Sequence, residues 1–395
     1  MIPFSPSTTP AFALLAAALL LGGCGESDPA EAGTIMSDSA GIVIVSHERE
    51  DRPAPLEFVE EFRLGGSDTR PEEAFFQVGP GTIGVDDAGR IFVLDAQSRQ
   101  VVIFDDTGRH LRSVGRSGDG PGEFGFPVGL TVAPEGEFGV LDISKRGIVS
   151  FSLDGEILPT VPFPAGFFGG ILHRTDDGSV WQQQLVEDGA ASDVLLRSGG
   201  ADTIRIVHVD RPEMRPIQLE SCGMGFSGML PVFHPTLRWA ARDQTIVAAT
   251  TAEYEISIFH GVVETRRIRR AIPPLPASER LAVEEQGEGM TVVLGDGRQV
   301  VCDSQEVVEQ RGFAPVTPAV GRIAIDREGG LWVQRGGLRE EPRAIDLFDA
   351  DGDYRGTLPP GAPFPLAFFP DGRIAASHTD DFEVTRLVVY RVEES

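Results

Sequence analysis

The sequence is poor in the residues on which most site chemistries depend. It holds 3 cysteines, 7 histidines, 3 tryptophans and 3 tyrosines in 395 residues. No His-Glu-x-x-His, Cys-x-x-Cys or Gly-x-Ser-x-Gly occurs. Motif evidence for a zinc protease, a paired-thiolate site or a hydrolase nucleophile elbow is therefore missing. No apolar run reaches the ~20 residues that a membrane-spanning helix needs. Positive charge is also scarce: 34 Lys and Arg stand against 60 Asp and Glu, for a net charge of −26. Such a field repels nucleic acid and anionic headgroups, so no nucleic-acid role is expected, and taken over the whole surface it favours cationic ligands.

Residues 1–23 lack charged side chains altogether. Within them Ala11 to Leu21 is an unbroken apolar run, too short to span a bilayer and suited to the core of a signal peptide. Leu21-Gly22-Gly23-Cys24 follows. This resembles the lipobox of bacterial lipoproteins, which implies cleavage before Cys24 and lipidation of that cysteine. Residues 1–23 are thus expected to be a lipoprotein signal peptide. Residues 24–40, rich in Gly, Pro and acids, read as a flexible tether. The expectation is an exported protein, lipid-anchored to the cell envelope and monomeric. The remaining pair, Cys222 and Cys302, is compatible with one disulfide in an oxidising compartment or with two separate buried thiols.

What the sequence does have is a repeat. Apolar runs are punctuated six times by tight turns: Asp86 to Gly89, Pro134 to Gly136, Asp176 to Gly178, Arg242-Asp243, Asp326 to Gly329 and Pro370 to Gly372. Gly89 to Gly108 and Gly136 to Gly155 mark hairpins at the same interval in the first two copies. Each copy supplies about four short strands, a unit that must stack on its neighbours to bury its faces. The 47 glycines and 29 prolines fit the many turns this demands. The expected fold is all-β: a six-bladed β-propeller over residues 41–395, with four-stranded antiparallel blades. The sixth copy has only three strands before the chain ends, so Phe58–Leu64 is expected to close the ring as its fourth. Ile42–Val45 is expected to add at the same seam. Two insertions, 211–235 and 271–319, interrupt the period between blades, the second with helix-like stretches 277–286 and 304–310. In a meander of this kind they share one face with the turns between second and third strands, and loops on a rigid scaffold are where binding concentrates.

Residues 82–127 resemble NHL-type propeller repeats. The matching residues are the Asp-x-x-Gly turn, Ile91 to Asp95, Arg99, Val101 to Phe104, Asp106 to Gly108 and Gly118 to Phe124 leading to Pro127. The chain as a whole is similar to bacterial six-bladed propeller lipoproteins. The resemblance implies a non-enzymatic binding or scaffold module, with an unknown protein or small molecule on the face that carries the inter-blade loops. It also leaves an alternative, a metal-dependent lyase or hydrolase with its site in the central channel.

Individual candidates are few. Gly120-x-Gly122-x-x-Gly125 imitates a dinucleotide fingerprint, but a strand pattern follows it, so no helix N-terminus is available for a phosphate. Asp349 to Asp353 imitates a calcium loop yet lacks its later ligands and reads as a hairpin turn. The histidines (His47, His110, His173, His208, His234, His260 and His378) have no metal-site spacing, and no metal or cofactor is expected. Catalytic residues are unassigned. His234 and His378 are placed at the channel mouth as possible ligand contacts. Trp181, Trp332, Phe92 and Phe138 recur at one position of their repeats and are expected to pack between blades. Arg266-Arg267-Ile268-Arg269-Arg270 is expected to guard an open sheet edge.

Overall fold

The computed structural model describes residues 34–47, 50–66, 70, 75, 78–162, 167–175, 180–187, 191–197, 203–207, 216–293, 299–338, 341–380 and 384–394. The signal segment and Cys24 lie outside the described residues. All that follows concerns the unit Thr34–Ser395.

Six antiparallel sheets follow one another along the chain. The first contains Ile83–Val85, Ile91–Asp95, Gln100–Phe104 and His110–Val114. The second contains Pro127–Val132, Phe138–Asp142, Gly147–Phe151 and Val161–Pro162, and the third Phe167–Arg174, Val180–Glu187, Ala191–Arg197 and Thr203–Val207. The fourth is built on Leu237–Arg242, Thr245–Thr250, Glu255–His260 and Val263–Arg270. The fifth has Val320–Ile325, Leu331–Arg335, Ile345–Phe348 and Tyr354–Leu358. The sixth takes Pro365–Phe368, Ile374–Thr379 and Thr385–Glu394 from the C-terminus and Leu56–Leu64 from the N-terminus.

The hairpin turns explain the repeat. Asp86 Oδ1 accepts from the backbone N–H of Ala88 and Arg90, at 3.0 and 2.9 Å. Asp105, Asp326 and Asp349 do the same in their own turns. A carboxylate that takes two N–H groups replaces the hydrogen bonds the strands no longer supply, which is why Asp recurs there. Gly89 adds the positive φ of +77° that closes the turn. Asp349 to Asp353 is accordingly a hairpin turn whose first carboxylate is used by the backbone. Gly120 to Gly125 likewise leads into the strand Pro127–Val132.

Second strands are sandwiched by neighbouring sheets. Ile91–Asp95 and Phe138–Asp142 are buried at every residue, whereas His110–Val114 on the outside alternates. The buried apolar clusters fall between consecutive sheets. One and two share Phe92 and Phe138; two and three share Leu141 and Leu172; three and four share Trp181 and Trp239. Four and five share Ile256 and Val333; five and six share Trp332 and Ile374. A sixth cluster joins the last sheet to the first through Phe369, Leu387, Ile91 and Phe104. The stack therefore closes on itself. The recurrent aromatics lie in these interfaces, with the Phe92 and Phe138 rings 5.5 Å apart.

The N-terminal strand closes the ring as expected. Leu56–Leu64 pairs antiparallel with Thr385–Glu394, Leu64 opposite Leu387. The segment before it departs from expectation. Thr34–Ser39 and Ile42–His47 form a hairpin, so the last residues of the stretch expected to be tether are strand. Ile42–His47 does not join the seam of sheet six. Val43 to His47 pair parallel with Arg266 to Arg270, on the outer edge of sheet four. The chain then crosses sheet five, where Pro53 bridges Thr357, before it reaches sheet six. The arginine run is thus not an open edge; its strand is covered. Its charges are matched by Asp351 to Arg266, Glu264 and Glu255 to Arg267, and Glu255 to Arg269.

Arg270 enters a buried cluster. Asp346, fully buried, accepts from Arg270 Nη1 at 2.7 Å, Arg335 Nη2 at 2.8 Å, Tyr254 Oη at 2.6 Å and Thr357 Oγ1 at 2.6 Å. Asp51, on the N-terminal strap, accepts from both arginines at 2.9 and 2.6 Å. The Arg270 guanidinium also lies 4.2 Å from the Tyr354 ring centre. Burial and the Asp346 carboxylate push the Tyr254 hydroxyl well above its ordinary pKa.

The insertions build a small assembly of their own. It contains hairpin strands Ile217–Leu219 and Met224–Phe226, helix α1 (Glu279–Gln286), strands Met290–Val293 and Gln299–Cys302, and helix α2 (Ser304–Arg311). Ser278 and Asp303 cap the helices, their side chains accepting from Leu281 N and Glu306 N. Cys222 and Cys302 are joined by a disulfide, with Cα atoms 4.9 Å apart. Glu306 accepts from the backbone N–H of Glu220 and Ser221, tying the two insertions together a second time.

Candidate functional site

The first strands of all six sheets face a central cavity of about 1000 Å³. Its apolar wall includes Ile83, Leu130, Ile171, Trp239, Ile323 and Leu366. One mouth opens among the turns between first and second strands, with Asp87, Pro134, Asp243 and Arg327. The other opens on the insertion face, where Leu230 and His234 come from the first insertion and Glu341 to Arg343 from the connection between the second and third strands of sheet five. Arg311 of α2 donates to Leu230 O at 2.8 Å, so the insertion assembly holds this rim in place.

Of the two histidines expected at the mouth, His234 lines the cavity and His378 does not. His378 sits in a second strand, paired opposite Arg386 and exposed to solvent. His173 lines the wall instead. Its ring stands edge-on to Trp239 at 5.1 Å, and burial holds its pKa down to about 4, so it is neutral at pH 7. Among the described residues, no group of three His, Cys, Asp or Glu side chains is placed to hold a metal.

Arginines dominate the polar wall. At the turn-side mouth each has a carboxylate: Arg327 pairs with Asp87 at 2.9 Å, Arg174 with Glu137 at 3.2 Å and Arg242 with Asp243 at 4.0 Å. At the insertion-side mouth Arg238, Arg322 and Arg343 gather around Gly321. Arg238 Nε donates to Gly321 O at 2.7 Å, and a Cβ on Gly321 would lie 2.9 Å from Arg343 Nη1. Arg322 lies over the Phe364 ring at 4.7 Å. Burial, then Arg343, then Arg238 lower the Arg322 pKa to about 10. Burial and Arg343 lower that of Arg238, whose surface is nonetheless open to the channel's solvent. All three stay charged at neutral pH. Sequence reading misses this trio because the residues are scattered, and only the alignment of sheets four and five brings them to one rim.

Residues 72–194 match a protein family described as a 6-bladed beta-propeller. The chain is a six-bladed β-propeller. The propeller is similar in structure to a protein from Bacteroides fragilis described as exported, with 15% identity, a TM-score of 0.51, and coverage of 89% of this chain and 99% of that one. It is similar also to a member of the duf4221 family from Bacteroides vulgatus, with 11% identity, a TM-score of 0.51, and coverage of 87% of this chain and 100% of that one. At these identities the likeness concerns the fold. No curated protein matches the propeller in sequence.

Proposed function

We propose that the chain is an exported, lipid-anchored propeller that binds a small-molecule ligand in its central channel and does not transform it. The cavity carries this reading. It lies on the axis, is formed by first strands of every blade, and combines apolar walls with a few placed polar groups. That combination is the usual make-up of a small-molecule site. Export is supported by the uncharged apolar segment, by Leu21-Gly22-Gly23-Cys24 and by a disulfide of the kind that persists in oxidising compartments. The B. fragilis neighbour, described as exported, agrees with it. No helix among the described residues is long and apolar enough to cross a membrane.

The test is a thermal-shift screen of the purified protein against a small-molecule panel. A true ligand raises the melting temperature, binds one to one and is recovered chemically unchanged after incubation. Recovery of a converted product, with activity lost on chelation, refutes the reading. Growth with a tagged fatty acid should label the wild type and not Cys24→Ala; equal labelling of both refutes the anchor.

A further inference from the structure

We propose that the insertion-side mouth is a binding site for the anionic group of an organic carboxylate or phosphate, held by Arg238, Arg322 and Arg343. The inference rests on the channel being the ligand site and adds the ligand's chemical class.

The argument begins from charge. In a chain of net charge −26, acidic partners are in excess, and the turn-side mouth uses them: Arg174, Arg242 and Arg327 each meet a carboxylate. At the insertion-side mouth, Arg238 and Arg322 have no carboxylate within ion-pair distance among the described residues. Arg238 is fixed by the Gly321 carbonyl and Arg322 by the Phe364 ring. Neither contact cancels a charge. Arg343 lies over Gly321 beside them, in the fields of Glu285 on α1 and Glu341. Like charges close together are unfavourable: burial first, and then the Arg343 and Arg238 charges, lower the Arg322 pKa. An anion at the rim would offset that repulsion.

The geometry suits a planar or tetrahedral oxyanion. Guanidinium groups bind carboxylate and phosphate oxygens through paired N–H donors, more strongly than neutral donors do. The absent side chain at Gly321 leaves the space in which Arg343 reaches the other two. Below the rim the cavity turns apolar, with Ile323, Phe364, Leu366 and Trp239 on its wall. The matching ligand has an acidic head at the mouth and an apolar body along the axis. The local sign is thus opposite to that of the protein's overall field, which favours cations only at long range.

Four small probes of one shape decide the matter: phenyl phosphate, benzoate, benzamide and benzylamine, titrated calorimetrically into the purified full-length protein at low ionic strength. Phenyl phosphate and benzoate should bind, benzamide at least tenfold more weakly, and benzylamine not measurably. Arg238→Ala combined with Arg322→Ala should weaken phenyl phosphate at least tenfold. Arg109→Ala, on an exposed outer hairpin away from the cavity, should leave it unchanged, and Arg322→Lys should keep part of the affinity. Because removal of one arginine relieves repulsion, Arg238→Ala alone should melt at or above the wild-type temperature. A merely structural role predicts a lower one. Undiminished phenyl phosphate affinity in the double variant overturns the anion site, and so does benzylamine binding as tight as benzoate. In either case the channel remains a ligand site. Failure of all four probes also overturns the anion site, while the wider ligand panel decides the channel reading separately.

Discussion

Replacing Asp346 by alanine tests the reading that the strap and two blades are joined through one buried carboxylate. Asp346 is fully buried, and the side chain of Arg270 against it is 2% exposed. Truncation removes the acceptor of bonds from Arg270, Arg335, Tyr254 and Thr357 at once. Asp51 remains for the two arginines, but it is half exposed and reaches them from the surface. Breaking one side of a buried ion pair costs about 3–5 kcal/mol, chiefly because a charge is left without compensation. Unfolding entropy near 60 °C is about 2.1 cal/mol/K per residue, so over the unit Thr34–Ser395 this lowers the melting temperature by about 4–7 °C. Differential scanning calorimetry reads the shift directly. Asp346→Asn, which keeps shape and an acceptor, should fall between the two. Joint replacement of Asp346, Arg270 and Arg335 by apolar residues of similar volume should recover most of the loss, because no buried charge is then stranded. An Asp346→Ala protein that melts within 1 °C of the wild type, within about the noise of such a shift, refutes the argument.

Other outcomes follow from the same physics. Deleting residues 34–64 strips the strap from three blades and exposes the edge of Thr385–Glu394, so cooperative unfolding should be lost in circular dichroism melts; a sharp wild-type transition speaks against closure by this strand. His173 should make stability fall as pH drops from about 6.5 to about 4, since the unfolded chain takes up a proton there that the folded one refuses. The loss should approach about 2 kcal/mol, less than the whole shift implies because the ring edge reaches channel water, and His173→Phe should flatten it. Asp51, held below the ordinary carboxylate range first by its hydrogen bond to Arg335, contributes stability above pH ~4 that disappears as pH falls further; Asp51→Asn should be less acid-sensitive than the wild type. Finally, Cys222→Ser with Cys302→Ser should lower stability by about 2–4 kcal/mol. Alkylation of the denatured, unreduced wild type should modify neither of these cysteines.

The legible parts of the fold were those fixed by local chemistry. Asp86 and Gly89 announce a hairpin because the turn needs a side-chain acceptor and a positive φ, and both needs are met within five residues. The count of strands in the last repeat then requires a donor elsewhere, and Phe58–Leu64 was the one left over. The position of Ile42–His47 was not legible. Its partner is a parallel strand, and parallel pairing has no turn or short loop to mark it. Arg266 to Arg270 looked like edge protection for a related reason: the carboxylates that match it come from Glu255, Glu264, Asp346 and Asp351, in different strands and turns. At the channel, His234 was found because it sits at the end of an insertion beside an innermost strand. The site's arginines went unread because Arg238 and Arg322 look like ordinary surface positions of alternating strands. Whether such a side chain faces bulk water or a shared axis depends on closure of the whole ring.

The strap also sets the order in which the molecule can be completed. Gly65, at its end, accepts from Arg386 across 321 residues of sequence. The part of the unit that is made first, and enters any export channel first, has to wait for the strand that is made last. Contacts of such separation carry a large loop-closure cost and slow the final step of folding. Until then the blades can form and Ile42–His47 can pair with Arg266 to Arg270, but Leu56–Leu64 has no edge to rest on. A chain cut short before Thr385 can never satisfy it. Completion of synthesis is thereby read out as closure, and truncated products keep a loose N-terminal segment that proteases can seize.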